Sequence, residues 1–409
     1  MVMGRGPASG ANVAAALALV AVFYVGSVLA SVPPELAAAD SVIRIGLNAD
    51  MSSVNLDVGV ALERGALLAI EELNERGGVL GRQMELVVRD HRRNPARGEV
   101  NVRELAADPQ LVAILGGKHT PVILAGLDTI HELGVPYLIA WAAGTPLIDH
   151  DHEPSYTFRL SVHDADAAGV IVEHALGRGF GRFGLLLEQT AWGRSNERAL
   201  VEALAGSGLS PVRIEWFSWS QVDFEPGLER FRRAGADVVI FVGNTPEGVW
   251  LLRSLQRQAP GERLPVVSHW GVTGAEFEQE LESSGEGVDV AVLTTFSFAA
   301  PPYPERAAPL LERYLVRFTD GGGLRDVPAQ PATAHAYDLM HVLARAIEEA
   351  GTTERAAVRD ALERVEYHAG VMRDYAPPFT PERHEALMPS DVRVARFEDG
   401  LWLPIESRP

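Results

Sequence analysis

The chain has 409 residues, 47% of them hydrophobic, which is enough to build the cores of two lobes or domains. Its 36 Lys and Arg residues stand against 55 Asp and Glu residues and give a net charge of −19, so most of the surface would repel nucleic acid. The sequence contains no cysteine, which excludes disulfides, thiolate metal sites and cysteine nucleophiles. Lys118 is the only lysine, and every other cationic side chain belongs to arginine.

Residues 1–39 are predicted to be a signal peptide and leader. Arg5 precedes an uninterrupted run of apolar or small residues at 13–30. The residues at 28–30 and at 37–39 fit the small-x-small pattern of a signal-peptide cleavage site. We therefore predict export, cleavage and a periplasmic or otherwise extracytoplasmic location. The alternative is a membrane anchor formed by residues 13–30, since a run of this length just reaches spanning length.

Beyond residue 42, short apolar runs alternate with amphipathic helical patterns. The first series of predicted strands covers 42–48, 84–90, 111–117 and 136–141, and the second covers 183–189, 211–217, 237–243 and 265–270. Strands separated by helices indicate βαβ units and parallel sheets. The sequence therefore predicts an α/β protein with two doubly wound lobes.

The end of the chain predicts a return to the first lobe. A further strand at 288–296 is followed by long helical patterns and by a last pair of strands. We expect lobe 1 to contain residues 42–160 plus 297–370. Lobe 2 would contain residues 161–290 plus 371–409.

Three predicted strands end in similar polar segments that precede a helix. The segments are Lys118-His119-Thr120-Pro121, Ala142-Ala143-Gly144-Thr145-Pro146 and Asn244-Thr245-Pro246-Glu247. Thr is a good N-cap and Pro suits the first helical position, so each segment would offer free backbone N–H groups at a sheet edge. Carboxylates and phosphates bind at such edges, which makes these segments the candidate ligand site. The alternative is that Thr-Pro only starts the helices.

Tryptophans and histidines supply further candidates. Trp141, Trp192 and Trp270 lie at or just past predicted strand ends, where they would contact a ligand or pack in the interior. The run of Asp and His at 149–152 looks like a metal cluster, but it lies in a polar loop without a third spaced ligand, so no metal is predicted. The sequence has no Walker loop, zinc-protease motif or nucleophile elbow, and we predict no enzymatic activity and no cofactor.

Taken together, these segments resemble the leucine/isoleucine/valine-binding-protein family, the type I periplasmic solute receptors of ABC importers. Residues 43–90 carry the first strand, a glycine-containing helix, a Gly-Gly turn and the second strand of that family. Further matches are LGGKHTPV, GVPYLIAWAAGTPLI, EQTAWGRSNERAL, GNTPEG and ATAHAYDLMHVLARAI. The resemblance implies a type I periplasmic-binding fold, with two Rossmann-like lobes joined by a hinge that closes on a ligand. Residues 371–390 depart from it, because they form a longer polar insert than the family normally has.

The resemblance also implies roles for individual residues. Thr120 matches the hydroxyl that holds the ligand carboxylate, and Ala142 matches a main-chain contact on the same group. Trp192 matches an aromatic side chain of the second lobe, and Asn244 begins a further contact loop. The family's second hydroxyl aligns with a glycine, Gly144, so the neighbouring Thr145 would have to replace it.

A second departure concerns the ligand. Trp270 stands where the family member that binds branched-chain amino acids has a carboxylate for the ligand ammonium. We therefore expect leucine, isoleucine and valine to bind weakly, and a carboxylate or amide on an apolar or cationic body to bind better. The alternative is that Glu188 or Asp50 supplies the missing charge.

These observations predict an exported receptor that captures a small amino-acid-like, carboxylate or amide metabolite and delivers it to an ABC permease. The alternative is a ligand sensor of the same fold that feeds a signalling partner. The partners are then a small molecule and a membrane permease, with no nucleic acid. The predicted ligand-binding residues are Lys118, His119, Thr120, Ala142, Gly144, Thr145, Trp192, Asn244 and Trp270.

Overall fold

A computed structural model of the protein describes residues 42–53, 56–283 and 287–405. The predicted signal segment 1–39, and with it the alternative anchor at 13–30, lies outside these residues. In the described ranges, no helix has the length and apolar character needed to cross a membrane.

The described strands and helices alternate along most of the chain. The strands are β1 (Ile43–Ala49), β2 (Met84–Asp90), β3 (Leu111–Gly116), β4 (Tyr137–Ile139), β5 (Thr157–Arg159), β6 (Phe183–Glu188), β7 (Arg213–Phe217), β8 (Val238–Val242), β9 (Val266–Ser268), β10 (Val290–Thr294), β11 (His368–Ala369), β12 (Asp374–Tyr375), β13 (Arg393–Glu398) and β14 (Leu401–Pro404). The helices are α1 (Asp57–Glu75), α2 (Pro95–Ala106), α3 (Thr120–Ala125), α4 (Leu127–Glu132), α5 (Asp164–Gly177), α6 (Ala191–Gly206), α7 (Glu225–Arg233), α8 (Thr245–Gln256), α9 (Ala275–Ser283), α10 (Pro304–Phe318), α11 (Gln330–Ala350) and α12 (Arg355–Leu362).

The strands form two main sheets. The first has the order β2-β1-β3-β4-β5 and is parallel throughout. The second has the order β14-β13-β10-β9-β8-β6-β7 and is parallel except where β13 and β14 join its edge in antiparallel pairing. Every residue of β3, β6 and β8 is buried, as expected for parallel strands covered by helices on both faces.

The chain passes between the two sheets three times, after β5, after β10 and before β13. The return to the first sheet is made by α10, α11 and α12, and α11 packs along α1. This packing is close at Gly65, where a Cβ atom would lie 2.2 Å from the carbonyl oxygen of Thr333. The α/β architecture with two parallel sheets confirms the predicted fold class, and the three connections between the sheets form the hinge of such a fold.

The polar insert lies against elements beside the first sheet. The backbone N–H groups of Val371 and Met372 donate to the buried carboxylate of Asp338 on α11, at 2.9 and 3.3 Å. The Nε of Arg159, at the end of β5, donates to Glu385 Oε2 at 2.8 Å. The sequence assigns residues 371–409 to lobe 2, and of these β13 and β14 join the second sheet. The lobe boundaries stay a prediction.

Candidate ligand-binding cleft

A cavity that is partly open to solvent lies between the carboxyl ends of the two sheets. The predicted site residues that line it are Lys118, His119, Thr120, Trp192, Asn244 and Trp270. They follow β3, β6, β8 and β9, which all end at the cleft, and ligands of open parallel sheets bind at this edge. The structure therefore brings six of the nine predicted residues to one place.

A second, wider cavity lies near the hinge and shares Trp270 with the first. Two of its polar side chains are already bonded to the protein. The indole N–H of Trp402 donates to Glu278 at 2.9 Å, and the hydroxyl of Thr294 donates to the carbonyl oxygen of Phe296 at 3.0 Å. The smaller cavity, in which buried polar atoms lack partners, is therefore the better candidate for a ligand.

The first wall of this cavity consists of Lys118, His119 and Thr120, which follow β3. All three are buried, and neither the Lys118 ammonium nor either ring nitrogen of His119 has a hydrogen-bond partner among the described residues. Burial, together with the nearby charge of Arg93, lowers the pKa of Lys118 to about 7. Burial and the charge of Lys118 hold the pKa of His119 well below its ordinary value. The first wall thus has hydrogen-bonding capacity that the protein does not use.

The second wall contains Glu188, the last residue of β6, and Asn244, which precedes α8. The carboxylate of Glu188 accepts hydrogen bonds from the Thr190 hydroxyl at 2.8 Å and from the Asn244 side chain at 2.6 Å. Burial raises the pKa of Glu188 above its ordinary value. The indole N–H of Trp192 donates to the buried Asp164 at 3.1 Å. The main polar groups of this wall are therefore bonded within their own lobe.

Two indoles meet where the lobes face each other. Trp141 follows β4 of the first sheet, and Trp270 follows β9 of the second. Their rings stack at 4.4 Å between centroids with 17° between planes. The buried His335 of α11 lies beside both rings, at 5.6 Å from Trp270 and 6.5 Å from Trp141. A ligand in this cavity would meet an apolar, planar surface as well as the charged groups.

Direct contacts between the lobes lie around the cavity. The backbone N–H of Thr145 donates to the Ser195 hydroxyl at 3.1 Å, and the backbone N–H of Ala275 donates to Asp57 at 2.7 Å. Arg93 approaches Glu247 at 3.3 Å and places its guanidinium 4.1 Å from the centre of the Trp219 ring. The two lobes are therefore in a closed arrangement.

Three predicted residues, Ala142, Gly144 and Thr145, lie next to the first wall without lining the cavity. The Gly144 N–H donates to the Thr120 hydroxyl at 3.2 Å, and Arg159 donates to the carbonyl oxygens of Gly144 and Ala142 at 2.9 and 3.4 Å. A Cβ atom on Gly144 would lie 2.4 Å from the Thr120 methyl group, so this position has no room for a side chain. Thr145 makes the contact with Ser195 between the lobes.

The predicted capping pattern was wrong by one residue. Thr120, Thr145 and Thr245 are the first residues of their helical segments, and the preceding His119, Gly144 and Asn244 occupy the N-cap position. Proline then stands second, where its missing N–H would also be unsatisfied. The segment at Thr145 is a single 3₁₀ turn, and α3 has only six residues, so α8 alone forms a long helix.

The histidines of the 149–152 run pack against His131. The ring of His152 stacks on His131 at 4.1 Å between centroids, and its Nε2 lies 3.0 Å from Asp128. Both ring nitrogens of His131 are bonded to backbone groups of Leu127 and Tyr156, which leaves neither free for a metal. Across the described ranges no group of three or more His, Asp or Glu residues has a metal-binding arrangement.

Trp141 and Glu188 both line the cavity. The sequence offered Trp141 as a candidate tryptophan and Glu188 as an alternative acid, but neither was among the predicted ligand-binding residues. A usable signal existed for each, because both stand at the carboxyl ends of strands that run toward the cleft. The contacts of Arg93 and Ser195 with the opposite lobe had no sequence signal, since they depend on how the lobes meet.

Comparisons with known proteins agree with this architecture. The family model described as Periplasmic binding protein matches residues 42–400. The Leu/Ile/Val-binding protein BraC3 of Rhizobium johnstonii is 27% identical over 332 residues, which cover 80% of this chain and 84% of that protein.

Two solved structures show the same fold. A type 1 periplasmic binding protein from Bordetella pertussis Tohama I matches with a TM-score of 0.78 at 23% identity, over 89% of this chain and 100% of the other. An ABC-transporter solute-binding protein from Rhodopseudomonas palustris HaA2, in complex with p-hydroxybenzoic acid, matches with a TM-score of 0.76 at 20% identity, over 90% and 96%. With two parallel sheets around a cavity, and a family match over most of its length, the chain belongs to the leucine/isoleucine/valine-binding-protein family of type I periplasmic binding proteins, a family of solute-binding proteins.

Proposed function

We propose that this protein is an extracytoplasmic receptor that captures a small metabolite by hinge closure and delivers it to an ABC permease, without catalysing a reaction. The observation that carries the proposal is the cavity between the lobes. It combines the ammonium of Lys118, which has no hydrogen-bond partner among the described residues, with the carboxylate of Glu188 on the opposite side. A pocket built from both lobes binds its ligand fully only when the lobes close, which is what a transport receptor requires.

The ligand that best fits this cavity is a carboxylate or amide on a compact apolar body. The hydroxyl of Thr120 and the ammonium of Lys118 would meet the electron-rich oxygen. The stacked Trp141 and Trp270 would pack against the body.

The relatives support this class of ligand. The name of the Rhizobium protein states leucine, isoleucine and valine, and the Rhodopseudomonas protein was solved with p-hydroxybenzoic acid. All of these compounds join a carboxylate to an apolar body. The position of Glu188 in the cavity would also allow a ligand ammonium to find a partner, although Trp270 replaces the expected carboxylate.

A thermal-shift screen of the purified protein tests the proposal. The set contains branched-chain amino acids, benzoates and their amides, with sugars and nucleosides as unrelated compounds. A ligand present at a hundredfold its Kd should raise the free energy of unfolding by about 2.7 kcal/mol, which is readily measured. If no acid or amide stabilises the protein and a compound from the unrelated set does, the proposed ligand class is wrong.

A matched pair of variants locates the site. Thr120→Val removes a buried hydroxyl that lines the cavity, and Thr129→Val removes an equally buried hydroxyl on α4. We expect the first to weaken binding at least fivefold, because the ligand oxygen loses a hydrogen bond of about 1 kcal/mol. The second should leave the Kd unchanged. Equal affinities of both variants and the wild type would place the ligand elsewhere.

A further inference from the structure

We propose that Lys118 determines the specificity of this receptor by binding an anionic oxygen of the ligand, and that it takes up a proton when that ligand binds above neutral pH. This inference rests on the proposed receptor function and deepens it. It predicts that acids are preferred over the amides of the same shape, and that this preference disappears when the pH is raised.

Three observations on side-chain partners single out Lys118. Its ammonium lines the cavity and has no hydrogen-bond partner in the part of the chain that the structure describes. The neighbouring cation Arg93 is already neutralised by Glu247 and stacked on Trp219. A buried ammonium without a partner is costly, so a ligand that supplies an anionic oxygen gains more here than at an exposed lysine.

The charged groups around Lys118 come from both lobes. Arg93, before α2, disfavours the protonated form, and burial acts in the same direction more strongly. Asp50 and Asp57, which lie on either side of the β1–α1 connection, favour the protonated form, as does Glu247 of α8. His119 is adjacent in sequence and stays neutral, because burial lowers its pKa. Glu188 lines the same cavity on the second lobe, where two donors hold its carboxylate.

The balance of these groups leaves Lys118 with a pKa of about 7 in the empty cavity. An anionic oxygen within hydrogen-bond distance favours the charged form and raises that pKa. Binding above pH 7 therefore requires a proton from solvent, and the affinity falls by up to tenfold for each pH unit above 7. Below pH 6 the lysine is already charged, so binding takes up no proton. A neutral amide does not raise the pKa in this way, and its affinity should vary little with pH.

Isothermal titration calorimetry on the full protein tests this linkage. The probes are benzoate with benzamide, and isocaproate with isocaproamide, so that each acid has a neutral counterpart of the same shape. Titrations at about pH 6 and pH 8.5, in buffers of different ionisation enthalpy, give the number of protons taken up. We expect close to one proton for the acids at the higher pH and close to none at the lower, with at least tenfold weaker binding at the higher pH.

Two variants separate Lys118 from other titrating groups. Lys118→Met should abolish proton uptake and remove the preference for the acids. The matched control Arg194→Met removes an exposed cation from the first turn of α6 and should change neither. The sole lysine also permits a direct measurement, since reductive methylation with ¹³C-formaldehyde gives one side-chain signal. That signal should titrate near pH 7 in the free protein and at a higher pH with benzoate bound.

The outcomes distinguish the two proposals. If acids bind without proton uptake and Lys118→Met binds them as tightly as the wild type, the role of Lys118 is wrong and the receptor function stands. The role of Lys118 is also wrong if the lysine signal titrates near its ordinary pH in both states. If none of the acids or amides binds to the wild type, the proposed ligand class is overturned, and the role of Lys118 with it.

Discussion

The two walls of the cleft differ in how their polar groups are satisfied. In the first wall, Lys118 and His119 have nitrogen atoms without a hydrogen-bond partner among the described residues. In the second, Glu188 is held by Thr190 and Asn244. Burial is nearly complete on both sides, so the difference lies in the partners and not in exposure to solvent.

This difference indicates which wall depends on a ligand. A buried polar group that is bonded to the protein is stabilised whether or not a ligand is present. A buried polar group without a partner raises the free energy of the folded state, and a ligand that bonds to it removes this cost. Natural binding sites commonly carry such a cost, because function requires groups that folding alone would not retain. Removing polar groups from the two walls should therefore change stability in opposite directions.

The largest expected effect is a gain of stability in Lys118→Met. The folded-state pKa of about 7 lies below the ordinary value of 10.5, so this lysine costs stability as the pH falls from 10.5 toward 7. Removing the amine should raise the free energy of unfolding at pH 7 by up to about 5 kcal/mol, at 1.36 kcal/mol for each unit of pKa. Urea unfolding measures the change, and the gain should shrink as the pH is raised toward 10.

The exposed Arg194→Met serves as the control and should stay within about 0.5 kcal/mol of the wild type. A Lys118→Met protein that is no more stable than the wild type would mean that the ammonium is already compensated. The contrast between the two walls would then be wrong.

The next effect concerns the support of the first wall. Arg159 is fully buried, bonds to Glu385 and holds the carbonyl oxygen of Gly144 at 2.9 Å. Arg159→Met leaves the partly exposed carboxylate of Glu385 without its cation; breaking a fully buried pair costs about 3–5 kcal/mol, and the loss here should lie near the lower end of that range. We expect urea unfolding to show a loss of this size. Glu385→Gln keeps an oxygen that can accept a hydrogen bond from Arg159, so it should lower the free energy of unfolding by less. An equal loss in the two variants would show that the ion pair is not the cause.

A third effect is a pH dependence at His335, beside the indoles that both lobes contribute. Its Nδ1 lies 2.7 Å from the Ala140 carbonyl oxygen and its Nε2 lies 2.9 Å from the Thr295 hydroxyl, and burial lowers its pKa to about 4. Because the pKa is lowered, the contribution of neutral His335 to the free energy of unfolding is fully present above pH 6.5 and is lost as the pH falls toward 4. Over that range, protonation of this histidine lowers the free energy of unfolding by roughly 3 kcal/mol.

His335→Gln should therefore show a shallower loss of stability on acidification than the wild type, measured by urea unfolding at several pH values. Several other buried histidines also have lowered pKa values, so the variant keeps part of the slope. Identical slopes in the two proteins would show that His335 does not contribute.

Asn244→Leu tests the second wall, with the sign opposite to that of Lys118→Met. The leucine fills a similar volume but removes the donor that contacts Glu188 at 2.6 Å. A buried carboxylate oxygen without its donor costs about 1–3 kcal/mol, so urea unfolding should show a loss of that size. Thr190→Val removes the other donor to the Glu188 carboxylate and should cost a similar amount. Asn196→Leu would not serve as the comparison, because Asn196 bonds to the backbone of Trp192 and not to Glu188. If Asn244→Leu is more stable than the wild type, removing a polar group stabilises the protein at both walls, and the proposed difference between them is wrong.

Much of the fold could be predicted because its signals are local. Strands such as β2, predicted at 84–90, are marked by the hydrophobic pattern of their own residues, and so is a late helix such as α10, which belongs to the long helical patterns expected after residue 296. The three-residue strand β5 was not predicted, since it is too short to show a period and lies between the predicted strands at 136–141 and 183–189. Its pairing depends on the neighbouring strand β4 and not on its own sequence.

The cleft was predictable only as far as strand ends define it. Lys118, Asn244 and Trp270 follow strands whose carboxyl ends share one edge, so their convergence could be expected. The stacking of Trp141 on Trp270, and the contact of Thr145 with Ser195, join residues of different lobes. Such contacts depend on the angle between the lobes, which no local pattern in the sequence determines.

The smallest expected effect concerns the contact between the walls themselves. The Ser195 hydroxyl of α6 accepts the Thr145 N–H at 3.1 Å from the other lobe. When the lobes separate, water can replace the serine, so Ser195→Ala disfavours the closed state by about 1 kcal/mol and leaves the stability of each lobe nearly unchanged. Because ligand affinity scales with the population of the closed state, the Kd of a bound acid such as benzoate should rise about fivefold.

Calorimetry with benzoate measures this change, and Ser207→Ala, at the exposed C-terminal end of the same helix, is the matched control. The control should bind as the wild type does, and both variants should unfold within about 0.5 kcal/mol of it in urea. A weaker Kd accompanied by an equal loss of stability would assign Ser195 to the folding of its own lobe. A weaker Kd at unchanged stability is expected only if the hydroxyl acts where the two walls meet, because closure is the step that forms its bond to Thr145.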